Sequence, residues 1–202
     1  MQMRFYVKQR IFWTRIFAII AIILLLFSSH SWRSDGIFYF LMEWIGFSMV
    51  VIATLGRLWC SLYIAGYKDD QMITLGPYSL VRNPLYFFSF IGALGLGFSS
   101  QNLIIIGLMI TMFVVFYPHV IDSEEKTLEM LFKDQYIQYK NTTPKYWPSF
   151  KNYQEPNEYT VKPKQITIAF LSAMWFLWFF MIFNIIELFQ NMNILPVLFC
   201  FP

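Results

Sequence analysis

Gly76-Pro77-Tyr78-Ser79-Leu80-Val81-Arg82-Asn83-Pro84-Leu85-Tyr86 divides the chain where its fold is decided. Two prolines in so short a stretch forbid one continuous helix, because each lacks an amide donor and biases its predecessor toward extended backbone. The second proline opens into an apolar run, and residues 83–121 contain no Asp, Glu, Lys or Arg. A crossing helix needs about 20 apolar residues, so this run is long enough for a helical hairpin, bent at Ser99-Ser100-Gln101-Asn102. Its legs, 85–98 and 103–117, are each short for a full span, which predicts tilt or local bilayer thinning. Arginine at the edge of such a run has an ordinary use as a snorkelling anchor. The turn around Arg82 gives it a second use, in a site built at the membrane surface.

The rest of the chain agrees with a membrane setting. Charged residues make up 13% of it, against roughly a quarter in a soluble domain. Residues 16–32 and 165–186 carry no charge, and 36–56 carry only Glu43. The fold class expected is all-α: a polytopic membrane protein with five transmembrane helices, 16–32, 36–57, the two hairpin legs and 165–187. A short cytoplasmic amphipathic helix adds to these. It is expected to follow a break at Tyr117-Pro118, with Asp122 and Glu125 as a capping box. Leu128, Leu131, Phe132, Tyr136 and Tyr139 then recur at helical spacing to about Lys140. Residues 141–164, rich in Pro, Asn, Lys and Tyr, read as an irregular surface loop. Three regions result: 1–57 with two N-terminal helices, 58–150 as the core, and 151–202 as a linker and last helix.

Arg4, Lys8, Arg10 and Arg15 precede the first apolar run, but no small-residue cleavage site follows, so it is expected to stay as a helix. With the N-terminus cytoplasmic and the C-terminus outside, fourteen of the fifteen basic residues face the cytoplasm and only Arg33 lies outside. The net charge of +3 thus reflects topology, and nothing else suggests nucleic-acid binding. The membrane expected is a bacterial inner membrane or, in a eukaryote, the endoplasmic reticulum. Cys60 and Cys200 fall on opposite sides, as do His30 and His119, so neither a disulfide nor a metal site is expected. No internal repeat supports a repeat-built transporter.

Gly92-Ala93-Leu94-Gly95-Leu96-Gly97 has the wrong order for a dinucleotide loop and lies within a membrane helix. Small residues that let helices approach closely explain it better. Glu43 and Glu187 lie near the outer ends of their helices and read as interfacial. Glu124 and Glu125 would by themselves be a solvated helix start. A hairpin, however, returns its two ends to one membrane face. The Arg82–Tyr86 turn and the Glu124-Glu125 pair must therefore be neighbours.

The order of these pieces carries a resemblance. Gly76-Pro77-Tyr78, then Arg82-Asn83-Pro84-Leu85-Tyr86, the hairpin and Glu124-Glu125 come first. Phe132, Tyr136, Tyr139, Lys140, Pro144, Trp147 and Pro148 follow at compatible spacing. The set, spanning roughly 56–150 and including Gly56-Arg57, resembles the isoprenylcysteine carboxyl methyltransferase family and the related phospholipid methyltransferases. The resemblance implies a membrane enzyme using S-adenosylmethionine without a Rossmann domain. It places cofactor binding on Asp70, Gln71, Met72, Ile73, Tyr78, Asn83, Pro84, Leu85, Tyr86 and Glu124, with Arg82 in the catalytic machinery and no metal. Its partners are a lipophilic methyl acceptor, either a prenylated thiol compound or a lipid head group, and membrane lipid. Two positions depart from the pattern. Asn83 stands where the family has histidine, and Val120 stands where the prenylcysteine enzymes place an arginine for the substrate carboxylate.

The residues suit that chemistry. Tyrosine rings favour a sulfonium by cation–π attraction, each by about 0.5–2 kcal/mol, and a carboxylate suits the cofactor's amino end. Methyl transfer is largely a matter of positioning and desolvation, so the lack of a Ser-His-Asp or Cys-His arrangement is no obstacle. Two other readings fit the same turn and hairpin. One is an NADPH-dependent sterol-type reductase, for which no added basic pair stands ready for a 2′-phosphate. The other is a scaffold or channel subunit, which gives the clustered polar residues no purpose.

Overall fold

The computed structural model describes residues 16, 19–30, 36–68 and 70–201. The basic residues before the first helix, Arg33 and Asp35 lie outside the described residues, as do the side chains of His30 and Cys200. The described part is helical apart from two three-residue strands. Residues 19–27 form α1. They are followed by α2 (Ile37–Ile64), α3 (Pro77–Leu80), α4 (Pro84–Ser99), α5 (Leu103–Thr142) and α6 (Pro163–Asn191). Three of these, α2, α5 and α6, are long and apolar enough to cross a membrane, and α4 is a shorter apolar helix.

One buried cluster joins five helices: Leu25 of α1, Val50 of α2, Leu96 of α4, Ile105 of α5 and Phe183 of α6. The closest approach is between α2 and α4, and glycines make it possible, as expected for the 92–97 stretch. A Cβ on Gly95 would stand 2.8 Å from the Gly46 carbonyl oxygen, and one on Gly92 2.9 Å from the Ala53 Cβ. Outward-facing side chains such as Leu55, Val114 and Leu171 are more than half exposed. An apolar exterior around a tightly packed interior suits lipid as the solvent.

The hairpin bend falls where the sequence puts it. Asn102 caps α5, its Oδ1 accepting from the amides of Ile104 at 2.9 Å and Ile105 at 3.3 Å. The bend lies at the same end of the bundle as the C-termini of α1 and α6. Gln190 Nε2 donates to the Leu25 carbonyl at 2.9 Å, and the Tyr39 hydroxyl to Glu187 at 2.7 Å. Glu187 is thus tied within the bundle. Past α6, the strand β2 (Phe199–Phe201) pairs in parallel with β1 (Ser28–His30), so the tail folds back beside the end of α1.

Three boundaries differ from the sequence reading. First, α2 continues to Ile64, so the start of the expected connector is helical. Second, α5 passes through Pro118 without ending. Membrane helices tolerate proline when neighbouring groups take up the loosened carbonyls. Here His119 Nδ1, in its protonated tautomer, donates to the Val115 carbonyl at 2.9 Å. No helix therefore starts at Asp122 with a capping box; the expected amphipathic helix is the continuation of α5, interrupted further on. Third, the real break is at Lys133, with φ 43° and ψ −115°. A left-handed φ at lysine costs about 1–3 kcal/mol and is held by the packing of Tyr136 and Tyr139 beyond it, both buried. At about 1.5 Å per residue, the continuous part of α5 from Leu103 to the break spans roughly 45 Å, longer than the roughly 30 Å of a bilayer core. The residues on either side of the break reach the turn, Glu125 at Arg82 and Asn83 and Tyr139 at Tyr78.

Candidate functional site at the hairpin mouth

The site begins with Gly76. Its φ of 60° is open to glycine, and a Cβ there would fall 2.3 Å from the Tyr63 ring. The sharp bend starts α3, with Pro77 in its first turn, where a missing amide costs nothing. Residues 144–154 form a strap stitched to this bend. The Gly76 amide donates to the Gln154 carbonyl at 2.8 Å, the Ser149 amide to Leu80 at 2.9 Å and the Arg82 amide to Pro144 at 2.9 Å. Ser79 Oγ donates to Gly76 O at 2.6 Å and accepts from the Gln154 amide at 3.1 Å.

From the far half of α5 comes Glu125. Its Oε1 accepts from Asn83 Nδ2 at 3.1 Å and lies 3.4 Å from Arg82 Nε; its Oε2 lies 3.7 Å from Lys145 Nζ. The side chains of Arg82 and Glu125 are each only 9% exposed. Lys145 also bonds Asp122. Burial would lower the pKa of the Lys145 ammonium, but the Asp122 hydrogen bond and the Glu125 charge outweigh it and raise that pKa. Tyr139 Oη donates to the Tyr78 carbonyl at 2.6 Å. Burial pushes the Tyr78 phenol well up, so it stays protonated and can donate. The Tyr78 hydroxyl and Nη1 of Arg82 are buried without a hydrogen-bond partner, while Arg82 Nε and the Tyr136 hydroxyl face Glu125. Each such group left unsatisfied costs about 1–3 kcal/mol. Their grouping around one turn supplies donors ready for a ligand.

The residues singled out from sequence fall in several surroundings. Arg82 and Asn83 stand in the charged cluster. Ile73 and Leu85 pack against the buried Cys60–Tyr63–Tyr78 group, so their visible use is apolar, and Pro84 is buried at the start of α4. Asp70 and Gln71 are exposed in the loop after α2, and Met72 is half-buried. Tyr86 sets its ring edge-on to Tyr117 at 5.2 Å, and Tyr117 stacks on Phe113 at 4.0 Å. Glu124 is 31% exposed and reaches Lys68 at 3.5 Å. Between the paired acids, Glu125 is the one turned into the cluster. It was missed as a site residue, as were Lys145, Tyr136 and Tyr139. The double acid and the three-residue tyrosine spacing were the available signals.

The profile described as phospholipid methyltransferase matches residues 36–135 of this chain. The nickel-cobalt-cadmium resistance protein NccN of Alcaligenes xylosoxydans xylosoxydans is 31% identical over 98% of this chain and 92% of its own length. The cobalt-zinc-cadmium resistance protein CzcN of Cupriavidus metallidurans is 31% identical over 95% and 88%. The chain belongs to the phospholipid methyltransferase family. No solved structure matches it. The span matched to the phospholipid methyltransferase profile runs from the start of α2 past the break in α5. It thus takes in the turn, the hairpin and both acids, while the 144–154 strap and α6 fall beyond it.

Proposed function

We propose that the protein is an integral-membrane methyltransferase that uses S-adenosylmethionine to methylate a lipophilic acceptor. The observation that carries this reading is the mouth of the hairpin: buried donors without partners beside aromatic rings and acids, in a chain of this family. S-adenosylmethionine would supply an electrophilic methyl group on a sulfonium. The residues present fit it. Tyr86 and Tyr117 offer ring faces to a cation. Glu124 offers a carboxylate to an amino group. The unsatisfied donors of Arg82 Nη1 and the Tyr78 hydroxyl suit the cofactor's acceptor atoms. Glu125, held by Asn83, Arg82 and Lys145, fixes the geometry of the turn, and Glu124 stands beside it, partly exposed and in reach of Lys68.

In this reading the chain crosses the membrane five times, N-terminus inside, with the hairpin mouth on the cytoplasmic face. The bend and the C-termini of α1 and α6 share the opposite face, in keeping with that alternation. Lipid acceptors then reach the site sideways and the cofactor arrives from water. Val120 sits one helical turn before Glu124, where it gives a substrate carboxylate no partner. A buried, unpaired carboxylate loses several kcal/mol on the order of its desolvation, so an amine head group is the favoured acceptor over prenylcysteine.

Calorimetry on detergent-solubilised protein tests the core of this proposal. S-adenosylhomocysteine binds and NADPH does not; the reverse result would support a reductase, and no binding of either would leave only a scaffold. Glu124→Ala and Tyr86→Ala each weaken S-adenosylhomocysteine binding about tenfold, equal to about 1.4 kcal/mol, with the thermal transition retained. Radiolabelled methyl transfer to an ethanolamine phospholipid exceeds that to a farnesylcysteine analogue; efficient methylation of the latter would overturn the acceptor assignment. The relatives' names favour a second, physiological reading, a contribution to transition-metal resistance. Growth of a deletion strain in cobalt or cadmium, with and without the gene restored, checks it.

A further inference from the structure

The strap that stitches the site together also carries two of the most exposed aromatic side chains in the described structure. Trp147 is 74% exposed and Phe150 76%. Neither belongs to a crossing helix, so lipid contact along a span does not explain them. The backbone beneath them is held in place, through the bonds of Pro144, Ser149 and Gln154 to the bend. Exposure of bulky apolar groups on a fixed backbone needs a partner. Other rings of the strap and the segment after it lie along the ends of the bundle helices. Trp147 meets Phe87 in the first turn of α4 at 6.4 Å, Tyr153 meets Trp59 of α2 at 6.3 Å, and Tyr159 meets Tyr63 at 4.8 Å. Residues 144–153 contain Lys145 and Lys151 and no acid. Lys145 is engaged by Asp122 and Glu125, which leaves Lys151, next to Phe150 and exposed, to face outward.

We propose that residues 144–153 are an interfacial anchor that seats Trp147 and Phe150 among the head groups of the adjacent leaflet, with Lys151 against anionic lipid. The ring contact with Phe87 sets the depth, because the first turn of α4 is where the hairpin leaves water. Tryptophan is favoured at such interfaces, and a lysine near an anionic surface gains about 1 kcal/mol. Because the strap also supplies the backbone partners of Gly76, Leu80 and Arg82, seating it steadies the turn that forms the site. The inference rests on the membrane reading but not on methyl transfer.

Spin labels at Trp147→Cys and Phe150→Cys, on the full chain with Cys60→Ala and Cys200→Ser, test it in phosphatidylcholine nanodiscs with and without phosphatidylglycerol. A label at Val114→Cys, on the outward face of α5, reports the bilayer, and one at Glu158→Cys reports water. Oxygen relaxes the labels at 147 and 150 more than a water-soluble nickel chelate does, and phosphatidylglycerol strengthens that preference unless Lys151 is changed to Glu. Preference for the chelate at both sites, with the 114 label still in lipid, would overturn the anchor and leave the membrane reading intact. A 114 label in water would instead sink the membrane reading itself. Dipolar broadening between labels would show that a second copy covers the patch, and insensitivity to phosphatidylglycerol would remove the anionic assignment; either result counts against the proposal.

Discussion

The α2–α4 interface and the contact between α5 and the turn are held by opposite means. Between α2 and α4 the contact is mainly backbone, small side chains and one ring: Gly46 faces Gly95 and Ser99, Ala53 faces Gly92 and Gly56 takes the Phe88 ring, with an Arg57–Ser89 bond the main polar addition. Between the far half of α5 and the turn there are charges and hydroxyls: Glu125 to Asn83, Arg82 and Lys145, and Tyr139 to Tyr78. In lipid, burial of apolar groups drives little association, so close approach and dispersion must suffice. Beyond the bilayer, polar partners can specify one geometry, at the cost of desolvating them. The first interface builds a frame that tolerates no added volume. The second builds a site that tolerates no missing partner.

That contrast predicts a ranking. Removing Glu125 should have the largest effect, because it leaves Arg82 buried beside Lys145 with no acid between them. Glu125→Ala is expected to destabilise the detergent-solubilised protein by about 3–5 kcal/mol, read from thermal unfolding. A loss below 1 kcal/mol would mean that the cluster is open to water. Overpacking the frame comes next. Gly46→Ala puts a methyl 2.7 Å from the Gly95 carbonyl oxygen and should cost about 1–3 kcal/mol, with no change in S-adenosylhomocysteine affinity beyond the loss of folded protein.

Lys145 offers a smaller, pH-dependent effect. Its folded pKa is raised despite the opposing effect of burial, through Asp122 and Glu125. Its contribution is therefore complete below the ordinary lysine value of about 10.4 and drains away as pH rises through the higher folded value. Lys145→Met should lower stability by about 1 kcal/mol at neutral pH and flatten the alkaline limb of a stability–pH curve; an unchanged limb would detach Lys145 from the cluster. Smallest of all is Gly107→Ala in α5. A Cβ there meets nothing within 4 Å, so the change should be neutral or stabilising by up to about 1 kcal/mol through helix propensity. Destabilisation comparable to Gly46→Ala would show that position in the chain, and not the close approach of helices, governs the frame.

Much of the frame was legible beforehand because its signals are local. Charge-free runs locate the apolar helices, Asn102 marks the restart of a helix, and the glycine-rich 92–97 stretch announces close packing. Proline was the misleading local signal. Pro118 reads as a stop in water, yet the helix continues through it, with the next residue, His119, bonded back to the Val115 carbonyl. The break falls instead at Lys133, a residue with no sequence mark of it, since long-range packing of Tyr136 and Tyr139 imposes it. The site was legible as a place and only partly as a residue list. Arg82 and Asn83 were found because they belong to the turn itself. The inward acid was not, because two adjacent carboxylates on a helix differ by about 100° in direction and only the packing of α5 says which one turns in.

The sequence by itself determined a membrane-grade helical chain with a hairpin, a double-proline turn at its mouth and a pair of acids returned to the same face. Those features follow from hydropathy over about 20 residues and from the backbone limits of proline, which need no distant partner. Only the tertiary structure decided that α5 runs on through Pro118 and breaks at Lys133, that Glu125 joins Arg82, Asn83 and Lys145, and that the 144–154 strap is sewn to the bend. The last two depend on groups between 20 and 78 residues apart finding one another, and their pairing energy exists only once the helices have packed.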